Sequence, residues 1–224
     1  MMYELEIFEG HPIIRDGENV ILIDTGSPVT IHKERQLHFR HGTFDCETNY
    51  MGLTVAGLSE MLGTQVTTLL GTNILSLSKV YFNYKEKQFG YTAGVVGSFK
   101  GKDISSIMGI PVIEIEINGQ RHRVFLDTGA RLSYLLNEYT GDFESCGMEQ
   151  DFYPGIGPFS TPRYTINTVF EGHVFPANYG NLPSMLANTL KYAGVTGILG
   201  YDFFSRFKVV LDLSSGHMSY AAND

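Results

Sequence analysis

Tryptophan is absent from the 224 residues, cysteine occurs twice, and no apolar run approaches the length of a membrane span. A bilayer crossing takes about 20 consecutive apolar residues, so no membrane partner is expected. The opening stretch Met1-Met2-Tyr3-Glu4-Leu5-Glu6-Ile7 has acidic groups where a secretory leader needs an apolar centre. Without a leader, Cys46 and Cys146 read most simply as reduced thiols in a cytoplasmic protein, although a disulfide between them stays open. Positive charge is scarce as well. The 16 Lys and Arg against 24 Asp and Glu leave a net charge of −8, without the basic face that nucleic-acid phosphates demand.

The one local concentration of basic and imidazole groups runs from His32 to His41. It reads as a solvated loop or edge. A metal held by His38, His41 and Cys46 would match no structural zinc spacing, so neither a metal nor another cofactor is expected. What is abundant is glycine, at 25, and phenylalanine with tyrosine, at 15 and 13. Short Val/Ile/Phe/Tyr runs punctuated by glycine favour β structure.

The tripeptide Asp-Thr-Gly occurs twice, at Asp24-Thr25-Gly26 and Asp127-Thr128-Gly129. Apolar runs lead into both: Val20-Ile21-Leu22-Ile23 and Val124-Phe125-Leu126. A second signature follows each, Leu69-Leu70-Gly71-Thr72-Asn73-Ile74-Leu75 and Ile198-Leu199-Gly200-Tyr201-Asp202-Phe203-Phe204. A single Asp-Thr-Gly is more often a turn whose aspartate caps nearby N–H groups. Two copies, each with a matched downstream element, would need two coincidences in register.

Internal repeats decide the reading. An offset of 129 residues aligns Val66–Gly71 with Val195–Gly200 and continues without a gap to Tyr91 and Tyr220, whereas the Asp-Thr-Gly copies align at 103. The second copy therefore has 26 extra residues between aspartate and Leu-Gly. The boundary belongs in the glycine- and lysine-rich stretch from Gly94 to Asp103, giving units 1–97 and 98–224. Expected strands are Tyr3 to Phe8, Val112 to Ile117 with an Asn118-Gly119 turn, Val80 to Tyr84, Gln88 to Tyr91, Val209 to Leu213 and His217 to Tyr220. Short helices are expected at Ser59 to Leu62, Ser184 to Tyr192, Thr72 to Leu77 and Tyr201 to Phe207.

The chemistry follows from the residue types. Gly26 and Gly129 let the backbone bend after each aspartate and approach its mate, and their N–H groups can donate to the carboxylates. Thr25 and Thr128 can hydrogen-bond across to the opposite loop. Two carboxylates a few ångströms apart cannot both ionise easily, so one pKa rises and the pair keeps a proton. Such a pair can deprotonate a water with one partner and polarise a carbonyl with the other.

These blocks, Val-Phe-Leu-Asp127-Thr-Gly-Ala-Arg and Gly-Ile-Leu-Gly200-Tyr-Asp-Phe-Phe-Ser-Arg-Phe-Lys-Val-Val-Leu-Asp, resemble the aspartic peptidase clan, in particular its retropepsin-like branch. The resemblance implies an all-β fold of two duplicated acid-protease barrel lobes, related by a pseudo-two-fold axis, with a few short helices. It also implies a monomeric endopeptidase that binds a peptide or unfolded protein segment in an extended conformation. Asp24 and Asp127 would be the dyad, supported by Thr25, Gly26, Ser27, Thr128, Gly129 and Ala130. The alternative is a catalytically inactive module of the same fold that captures peptides by strand addition.

Two departures bear on the site. Ser27 can donate to Asp24, while Ala130 offers Asp127 nothing, which leads us to expect the shared proton on Asp127. The extra residues of the second copy include Phe152-Tyr153-Pro154-Gly155-Ile156-Gly157-Pro158-Phe159. They suit a mobile hairpin tip, with Tyr153, Gly155, Ile156 and Gly157 touching substrate. A surface hairpin packed on the core is the plainer reading. The first copy leaves little room for a long hairpin over the cleft.

Overall fold

The computed structural model describes residues 1–40, 42–92, 98–153 and 156–223. Most of it is strand. The first half begins with β1 (Met2–Glu4) and β2 (Glu6–Phe8), where one strand was expected. The break is at Leu5, which is fully buried and donates its N–H to the Lys87 carbonyl at 2.8 Å. The chain there crosses from one sheet to another. β3 (His11–Asp16) and β4 (Asn19–Ile23) form a hairpin that ends at Asp24. β5 (Ile31–His32), β6 (Gln36–Phe39) and β7 (Gly42–Asp45) follow.

The reading of residues 32 to 41 as a solvated loop or edge is therefore corrected for His32, Leu37 and Phe39, which are buried among exposed neighbours. His32 is buried, its Nδ1 2.9 Å from the Thr67 carbonyl and 2.8 Å from Thr68 Oγ1. Leu37 and Phe39 alternate inward from β6 into the main core, the period-two signature of a half-buried strand. His41 lies outside the described residues. Among those described, no three His, Cys, Asp or Glu side chains converge on a possible metal site, and Cys46 and Cys146 are free thiols.

Helix α1 (Val55–Leu62) starts earlier than expected because Thr54 caps it, its hydroxyl accepting from the Gly57 N–H at 3.2 Å. Such a cap satisfies one of the N–H groups a helix start leaves open. Gly63, at φ +71°, ends it. β8 (Thr68–Leu70), α2 (Thr72–Leu75), β9 (Val80–Asn83) and β10 (Gln88–Tyr91) complete this half.

The second half contains β11 (Lys100–Asp103), β12 (Ser105–Ile107), β13 (Ile110–Ile117), β14 (Gln120–Leu126) and β15 (Ser133–Leu135). Asn118 and Gly119 join β13 to β14 with φ of 51° and 76°, the left-handed pair that a two-residue hairpin turn requires. Next come β16 (Met148–Tyr153), β17 (Gly157–Pro162), β18 (Tyr164–Phe170), β19 (His173–Asn181) and α3 (Ser184–Tyr192). β20 (Gly197–Leu199), α4 (Tyr201–Arg206), β21 (Phe207–Asp212) and β22 (His217–Ala222) close the chain.

A five-stranded sheet, β2-β3-β4-β8-β5, belongs to the first half; a seven-stranded one, β12-β13-β14-β20-β15-β19-β18, belongs to the second. The remaining large sheet has the order β1-β10-β9-β21-β22-β11, three strands from each half meeting at β9 and β21. In both halves the strand before the aspartate runs parallel to the Leu-Gly strand, with Leu22 opposite Leu69 and Phe125 opposite Ile198. These pairs differ by the sequence offsets of 103 and 129 found above.

One continuous core, from Ile14 and Phe82 to Phe203 and Val209, spans both halves. Two smaller clusters sit under α1 and α3. Among the described residues no helix is long and apolar enough to cross a membrane.

Candidate active site

β4 delivers Asp24 and β14 delivers Asp127, and each is fixed by the Leu-Gly strand beside it. The Asp24 N–H donates to the Leu70 carbonyl and the Asp127 N–H to the Leu199 carbonyl, both at 3.0 Å. The turns that follow are pinned alike, the Thr72 N–H reaching the Ser27 carbonyl at 2.8 Å and the Tyr201 N–H reaching the Ala130 carbonyl at 2.9 Å. Close approach here needs glycine. A Cβ at Gly71 would come within 2.8 Å of the Ser27 carbonyl oxygen, and one at Gly200 would overlap that of Ala130.

The two turns meet face to face. The Thr25 N–H donates to Thr128 Oγ1 at 3.0 Å and the Thr128 N–H to Thr25 Oγ1 at 2.9 Å. Each hydroxyl then donates at 2.8 Å to the carbonyl before the opposite aspartate, Thr25 to Leu126 and Thr128 to Ile23. Both threonines are fully buried.

Above this clasp the carboxyl groups of Asp24 and Asp127 hydrogen-bond to each other. Gly26 N–H donates to Asp24 Oδ1 and Gly129 N–H to Asp127 Oδ1, each at 2.8 Å. Each glycine is also the floor for the opposite carboxyl. A Cβ at Gly129 would stand 2.7 Å from Asp24 Cγ, and one at Gly26 would overlap the Asp127 carboxyl.

Each aspartate is half-buried as a residue, while its carboxyl is enclosed by protein. Burial is the main cause that pushes both carboxyls above the ordinary range. For Asp24 the Asp127 charge and their shared hydrogen bond push further, against donation from the Gly26 and Ser27 N–H groups. For Asp127, donation from the Gly129 N–H, from Asp24 and from the Ala130 and Gly26 N–H groups opposes the rise. Both carboxyls are thus raised, so the pair retains a proton between them.

The hydroxyl of Ser27 does not supply the asymmetry expected of it. It does not serve Asp24; it donates to the Val29 carbonyl at 2.8 Å.

β16 and β17 pair from Met148 with Pro162 to Tyr153 with Gly157 and form a ribbon that no third strand joins among the described residues. Gly155 lies outside the described residues. Tyr153, Ile156 and Phe159 pack on the cluster around Leu132 and Leu186, while Phe152 packs on the first-half cluster around Leu53 and Leu58. The ribbon therefore bridges the two halves. Burial first, then the charges of Asp127 and Asp24, push the Tyr153 hydroxyl up to about 12, so this tyrosine lies within electrostatic reach of the pair. Gly157 has φ +85°, a conformation that favours glycine.

Between the ribbon tip and the first half lies an open recess of about 420 Å³. Leu53, Met61 and Ile156 give it apolar walls, and Glu60 is its one charged group; neither aspartate lines it. Opposite the tip, Tyr50 bridges to Leu53 through Met51 and Gly52, whose φ values are 52° and 84°. The first half also has its own hairpin, β6 with β7, but it is short and folded onto the core.

Three residues around this site were not singled out from sequence. Tyr84 is buried, and among the described residues its hydroxyl has no hydrogen-bond partner. Burial and then the Asp127 charge raise its pKa well above the ordinary value. His11 is buried against the Gly129 carbonyl, and burial holds its pKa below the usual imidazole range. Arg131, the charged residue that follows Asp127-Thr-Gly-Ala, was visible in the motif but had no assigned partner. No protein-family model matches the chain, and no curated protein matches it.

Proposed function

We propose that this chain is an aspartic endopeptidase in which a water between Asp24 and Asp127 attacks a peptide bond. The meeting of these two carboxyls, enclosed and sharing a hydrogen bond, carries the reading. The reciprocal threonine bonds and the repetition of one set of pairings at two sequence offsets support two duplicated, retropepsin-like lobes, 1–97 and 98–224, about a pseudo-two-fold axis. Both carboxyls come from one chain, so a monomer is sufficient.

In this mechanism ionised Asp127 takes a proton from the water as its oxygen bonds to the substrate carbonyl carbon. Protonated Asp24 donates to the carbonyl oxygen, and a neutral tetrahedral diol results. Asp127 then passes its proton to the amide nitrogen, the C–N bond breaks, and Asp24 recovers a proton from the diol. General acid–base assistance of this kind supplies about 10²–10⁴-fold. The ribbon formed by β16 and β17 is the cover that grips an extended substrate and limits water, with Tyr153, Ile156 and Gly157 nearest to it. A substrate side chain beside the cleaved bond fits the recess between Met61 and Ile156.

The test is digestion of a diverse peptide mixture by the wild type, Asp24→Asn and Asp127→Asn, read by mass spectrometry. Cleavage by the wild type alone is expected. Peptide retention without cleavage by the wild type would instead identify a binding module, and cleavage that survives either substitution would refute the dyad.

A further inference from the structure

We propose that Arg131 is a positioning residue that holds the β16–β17 ribbon at a fixed height above the carboxyl pair; this rests on the peptidase reading of the cleft. Arg131 ends the turn that carries Asp127, one residue after Ala130. Its guanidinium meets three successive residues of β16. Nη1 lies 3.2 Å from Glu149 Oε1, Nε 3.9 Å from Asp151 Oδ1, and Nη2 donates to the Gln150 carbonyl. A planar fork with several donors suits such a set, whereas an ammonium would serve one partner at a time.

The acceptor side is prepared for it. The Asp151 side chain is only 8% exposed, accepts a hydrogen bond from the Tyr134 hydroxyl, and accepts from the Phe152 N–H at 2.8 Å. The far side of Arg131 is backed by the first half. Gly10 lies so close that a Cβ on it would stand 2.8 Å from Arg131 Cβ. His11, the next residue, has its ring 6.3 Å from that of Phe152.

A two-stranded ribbon is marginal by itself in water. Among the described residues no third strand joins this one, so its orientation depends on its anchors. Arg131 joins its strand to the Asp127 turn only two residues before Tyr153. Without the guanidinium, Glu149 and Asp151 would lose the cation that ties them to the Asp127 turn, and the ribbon would lift. Grip on a long substrate would weaken while the carboxyl pair stayed intact.

The experiment compares wild type, Arg131→Met and Arg131→Lys by amide hydrogen exchange over residues 148–162 and by steady-state cleavage of a peptide substrate. Arg131→Met is expected to speed exchange in the ribbon about tenfold, with β18 as an unchanged internal reference. It is also expected to raise KM about tenfold with kcat within about twofold and both limbs of the pH–rate profile unmoved. Arg131→Lys keeps the charge and is expected to fall between. Unchanged exchange and KM in Arg131→Met would overturn the proposal, as would a fall in kcat at constant KM, the mark of general damage. If the wild type cleaves nothing, the peptidase reading fails separately and the exchange measurement alone decides whether Arg131 holds the ribbon.

Discussion

Thr25 and Thr128 each take the other's backbone N–H and each donate to the carbonyl that precedes the other's aspartate. Four hydrogen bonds therefore tie two turns 103 residues apart in sequence. Because both side chains are fully buried, no water can substitute for a missing partner.

Replacing either threonine by valine keeps the shape but removes one acceptor and one donor. In Thr25→Val the Thr128 N–H and the Leu126 carbonyl would lose their partners. Leaving two buried groups unpaired costs about 2–4 kcal/mol, which urea unfolding would report as a lower midpoint at unchanged slope. Thr25→Ser retains the hydroxyl and should lose about 1 kcal/mol or less. Equal stability of the valine and serine variants would show that the clasp contributes nothing.

The raised carboxyl pKa values make stability depend on pH in a defined sense. Asp24 binds its proton more tightly in the folded chain than in the unfolded one. Its contribution is therefore fully present below the unfolded carboxylate range and is lost as pH rises toward the folded pKa. Asp24→Asn removes that titration and should flatten the decline, so that the variant equals or exceeds the wild type in stability at neutral pH. Denaturant midpoints measured from pH 3 to 8, about one unit apart, would check this. A steeper decline in the variant would count against an enclosed, protonated Asp24.

Ser27 gives a sharper test of how the pair is tuned. Its hydroxyl is committed to the Val29 carbonyl, so Ser27→Ala should leave the acidic limb of the pH–rate profile where it is. The backbone N–H of Ser27, which does favour the charged form of Asp24, is untouched by the substitution. A shift of that limb by about half a unit or more would show that the hydroxyl turns to the aspartate during turnover.

Part of this architecture could be read from the chain because similar residues recur in similar contexts. The offsets of 103 and 129 reappear as the pairing of Leu22 with Leu69 and of Phe125 with Ile198. The Asn118-Gly119 turn followed from the left-handed backbone those residues tolerate. Other features depend on contacts that no local pattern encodes. The break at Leu5 exists because Lys87 offers it a carbonyl. The Ser27 rotamer is chosen by a neighbouring carbonyl rather than by the aspartate it follows. Leu37 and Phe39 did alternate in the sequence, but histidines and charges around them masked the inward face. Arg131 gains its meaning only once β16 is folded beside it.

The seam between β9 and β21 has a final consequence. Val80, Phe82, Val209 and Leu211 are wholly buried on either side of it, so a nick in the connection between residues 92 and 98 would not release two independent bodies. Each fragment would bare an unpaired strand edge and a slab of greasy surface, the usual prelude to aggregation. Such pieces would be expected to survive only by finding each other again, as a split protein does on reassembly.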